Sequence, residues 1–74
     1  MTKAESERAI RHLCHEWRTS SGRAATPESE LSFSQFYTWV EQNYGSYLRF
    51  RTTTSVRYDV EMWFDQEFGL TWRR

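Results

Sequence analysis

The chain has 74 residues, ten basic and ten acidic, for a formal net charge of zero, and a single cysteine, Cys14. This length suits one domain, no intramolecular disulfide can brace it, and no overall field draws it to nucleic acid or membrane. Stability must come from packing, and aromatics make up 18% of residues, each able to bury on the order of 150–250 Å².

The opening residues MTKAESERAI show neither an apolar core nor a small-residue cleavage pattern. No apolar run approaches the roughly 18 residues of a membrane span. One unpaired cysteine suits a reducing compartment. The expectation is a cytoplasmic protein that does not engage membrane.

The first helix is expected over roughly residues 3–19. Ile10, Leu13, Cys14 and Trp17 follow the i, i+3, i+4, i+7 spacing of a helix with one buried stripe. Thr2 and Glu5 stand at the two positions of a capping box, and Ser20-Ser21-Gly22 supplies the stop. Residues 22–31, GRAATPESEL, hold the only proline and no large apolar residue before Leu31. They read as a mobile loop joining the first two helices.

The second helix, about 33–44, has the best-defined start. Ser32 is the expected N-cap with Gln35 at the reciprocal position, and Leu31 and Phe36 occupy the hydrophobic-staple positions. Phe33, Phe36, Tyr37, Val40 and Tyr44 line one face, and Gly45 is expected as the left-handed residue after the helix.

Residues 47–62 support two readings. Val56, Tyr58, Val60 and Met62 alternate with charged residues as in a strand. Val56, Val60, Trp63, Phe64 and Phe68 instead form a helical stripe, with Thr54 or Ser55 as cap and Gly69 as stop. The helix is favoured, because the alternation fails at Trp63-Phe64. A hairpin would also have to turn through Thr53-Thr54-Ser55, which lacks the Gly or Asn of tight hairpins. Leu70 and Trp72 are expected to fold back on the core. The fold class read from residues 1–74 is therefore all-α, a single three-helix domain with an aromatic-rich core. The alternative is α+β with a hairpin within 47–62.

Little in the chain suggests catalysis. His12, Cys14, His15 and Glu16 are close in sequence, but Cys14 belongs to the apolar stripe opposite the histidines. It can neither complete a tetrahedral metal site with them nor use them as a base. Asp59, Glu61, Asp65 and Glu67 read as spread around the surface of the third helix. Gly22, Gly45 and Gly69 fall at helix ends rather than in a phosphate loop. The expectation is a non-enzyme with no metal and no cofactor.

Charge and aromatics carry the two functional readings. Arg8, Arg11, His15 and Arg18 form a basic stripe on the first helix, and residues 49–57, RFRTTTSVR, add Arg49, Arg51 and Arg57 beside a run of hydroxyls. Arginines, hydroxyls and a helix N-terminus together suit an anion, so nucleic acid is the alternative partner. The competing explanation pairs the basic face of helix one with the acidic helix three. Trp39, Tyr47, Tyr58, Met62 and Trp72 fall off the main stripes and exceed what a small core needs. They are the expected protein interface, because Trp, Tyr, Met and Arg are enriched at such sites. The leading reading is a protein-interaction module, an adaptor, inhibitor or self-associating chain.

Overall fold

The computed structural model describes residues 2–20, 22 and 24–70. It has three α-helices, α1 (Lys3–Ser20), α2 (Phe33–Tyr44) and α3 (Val56–Glu67), with short 3-10 turns at Glu28–Glu30 and Gly45–Leu48. No strand occurs among the described residues, and the all-α reading stands. The hairpin alternative fails for a local reason. Thr53-Thr54-Ser55 acts as a helix start, with Ser55 Oγ accepting the Tyr58 N–H at 3.1 Å.

Capping chemistry fixes the helix bounds. Thr2 N–H donates to Glu5 Oε1 at 2.9 Å while Glu5 N–H donates to Thr2 Oγ1 at 3.2 Å, closing the capping box of α1. At α2, Ser32 Oγ accepts the Gln35 N–H, and the staple residues Leu31 and Phe36 are both buried. The end of α3 is a Schellman turn: Leu70 N–H reaches Asp65 O and Gly69 N–H reaches Gln66 O, with Gly69 at φ +67°.

Gly45 differs from its expected role. Its φ of −55° and ψ of −27° are right-handed, because the chain does not reverse there but tightens into the Gly45–Leu48 turn. The 22–31 connection also carries local structure. Pro27 leads into the Glu28–Glu30 turn, and Leu31 is buried at its end.

Two contacts set how the helices lie. Lys3 approaches Asp59 and Arg11 approaches Glu67, both across 56 residues. This equal offset means that α1 and α3 run parallel. Phe33 and Phe36 of α2 pack on Phe64, and Phe36 also meets Trp17 of α1. Phe64 lies at the centre of this cluster, touching Trp17, Phe33, Phe36 and Phe68 at ring-centroid distances of 4.9–6.1 Å. Ile10, Leu13, Cys14, Leu31, Val40, Phe50, Val60, Trp63 and Leu70 complete the core. Trp72, expected to pack there, lies outside the described residues.

Candidate protein-interaction surface

The hydroxyl run ahead of α3 is engaged within the chain. Asp59, 2% exposed, accepts hydrogen bonds from Thr52 Oγ1 and from Thr54 Oγ1, the latter at 2.8 Å. Lys3 Nζ lies 3.6 Å from its Oδ2. Burial raises the pKa of this carboxylate, but the two hydroxyls and the Lys3 ammonium outweigh burial and hold it below the ordinary value. Two of the hydroxyls an external anion would use, those of Thr52 and Thr54, are thus taken by the chain's own carboxylate. Asp59 and Asp65 are both buried, which corrects their expected place on the surface of α3. Asp59 lies four residues before Trp63 and so borders the apolar stripe. That position was the available signal for its burial.

The six arginines do not form one face. Arg11 donates to Glu7, Gln66 and Glu67. Arg18 donates to Thr26 O at 2.8 Å and lies over the Phe68 ring. Arg57 lies 5.2 Å from the centroid of Phe33 and 4.9 Å from that of Tyr37, and donates to Ser34 Oγ at 3.3 Å. Arg8, Arg49, Arg51 and Arg57 are exposed. For Arg11, the pairing of basic α1 with acidic α3 is the arrangement found. Glu67, one of the four carboxylates expected around the surface of α3, is its centre: it takes Arg11 at 3.1 Å and His15 at 2.7 Å.

Of the candidate interface residues, Trp39, Tyr47 and Met62 are half-buried against the edge of the core. Trp39 and Tyr47 are joined through Tyr44, whose ring lies 5.4 Å from Trp39 and 5.8 Å from Tyr47. Tyr58 differs from them. It is 48% exposed, the one large hydrophobic side chain in that state among the described residues. It neighbours Arg57 in sequence but does not itself line the open hollow of about 330 Å³ that Arg57 and Glu61 border together with Leu31, Ser32, Phe33, Ser34 and Asp65. Trp72, the fifth candidate, falls outside the described residues.

Cys14 is fully buried, and burial pushes its thiol pKa far above the ordinary range. His12 approaches Glu16 at 3.8 Å, and among the described residues no three His, Cys, Asp or Glu side chains are grouped to hold a metal ion. No helix is long and apolar enough to cross a membrane, among those residues. No protein-family model matches the chain, and no curated protein or solved structure is significantly similar to it.

Proposed function

We propose that the protein is a non-enzymatic interaction module that binds a protein partner through a surface centred on Tyr58 and the hollow between α2 and α3. The supporting observation is Tyr58 itself, an exposed aromatic on the same helical turn as Arg57. Tyrosine and arginine are, with tryptophan, the residue types enriched at interface hot spots. Arg57 is held by two rings and a serine hydroxyl, so a partner would meet a guanidinium already ordered, and less conformational entropy is lost on contact. Half-buried Trp39, Tyr47 and Met62 contribute mainly to the core in this reading. The lone Cys14 suits a reducing compartment, and the cytoplasm is the proposed location.

The test is affinity capture from the native host, with and without nuclease, using the wild-type chain beside Tyr58→Ala. The expected result is a protein captured by the wild type, retained after nuclease and lost with Tyr58→Ala. Capture that disappears on nuclease treatment would instead support nucleic-acid binding through exposed Arg8, Arg49 and Arg51. A chain that captures nothing and sediments as a monomer would contradict both readings.

A further inference from the structure

We draw no further inference here: the strongest candidate, the open hollow between the start of α2 and α3 lined by Ser32, Ser34, Arg57, Glu61 and Asp65, belongs to the surface already described, and nothing in the structure shows what covers it.

Discussion

Arg11 Nη1 lies 3.1 Å from Glu67 Oε2, tying the middle of α1 to the last residue of α3. Both side chains are about three-quarters buried or nearly so, at 30% and 25% exposure, so solvent screening is only partial. Arg11 also holds Glu7 one turn back on its own helix, and Glu67 also holds His15. A double-mutant cycle with Arg11→Ala and Glu67→Ala should give a coupling of about 0.5–1 kcal/mol. That coupling should shrink between low and high salt. Denaturant melts of the four proteins at two ionic strengths measure it.

Stability should depend on acid in a defined direction. Asp59 and Glu67 are both held below their ordinary values in the folded chain, Asp59 by Thr52, Thr54 and Lys3 against burial, Glu67 chiefly by His15. A carboxyl with a lowered folded pKa adds stability above its unfolded value, and that contribution disappears as pH falls through the folded value. Melting temperature should therefore begin to fall as pH drops through about 4, the ordinary carboxylate range, and continue falling below it. Asp59→Asn should cost roughly 1.5–3 kcal/mol at neutral pH and flatten the acid limb. Thermal melts from pH 7 to pH 2 on both proteins check each part.

The glycines should separate by backbone geometry. Gly69 has φ +67°, where a Cβ costs about 1–2 kcal/mol, so Gly69→Ala should destabilise by about that amount. Gly45 is right-handed, and a Cβ there meets nothing within 4 Å. Gly45→Ala should stabilise by about 0.4–1 kcal/mol, because it reduces the freedom of the unfolded chain. Urea midpoints of the two variants should move in opposite directions.

Cys14 and Phe64 report on the core. In the folded chain a thiol reagent should react with Cys14 only at the rate of opening, and unfolding in guanidinium should make it react fully. Phe64→Ala should cost about 3–5 kcal/mol, enough to threaten folding of a domain of this size. Phe64→Leu is the milder companion, and both are read by circular dichroism and calorimetry.

Much of the fold was legible because local chemistry and periodicity agreed. Thr2 with Glu5, Ser32 with Gln35, and Ser55 each mark a helix start that the structure contains. The stripes Ile10–Trp17 and Val60–Phe68 mark the faces that became core. Gly45 was misread because a glycine after a helix can end it or let it tighten, and the choice depends on whether the following Tyr47 and Leu48 pack back on the core, as they do. Asp59 was misread because patterning treats every carboxylate as solvated, whereas donors seven and five residues upstream make this one buried. The site was only partly legible. Spacing predicted which aromatics leave the stripes, but it could not tell half-buried Trp39 from exposed Tyr58, since that depends on which neighbouring element covers each ring.

The most direct test of the Tyr58 surface is the affinity of a captured partner for wild type and for Tyr58→Ala, measured by titration calorimetry beside the melting temperature of each. The prediction is binding at least about tenfold weaker, roughly 1.4 kcal/mol, with the melting temperature unchanged. Equal affinity for the two proteins would contradict it.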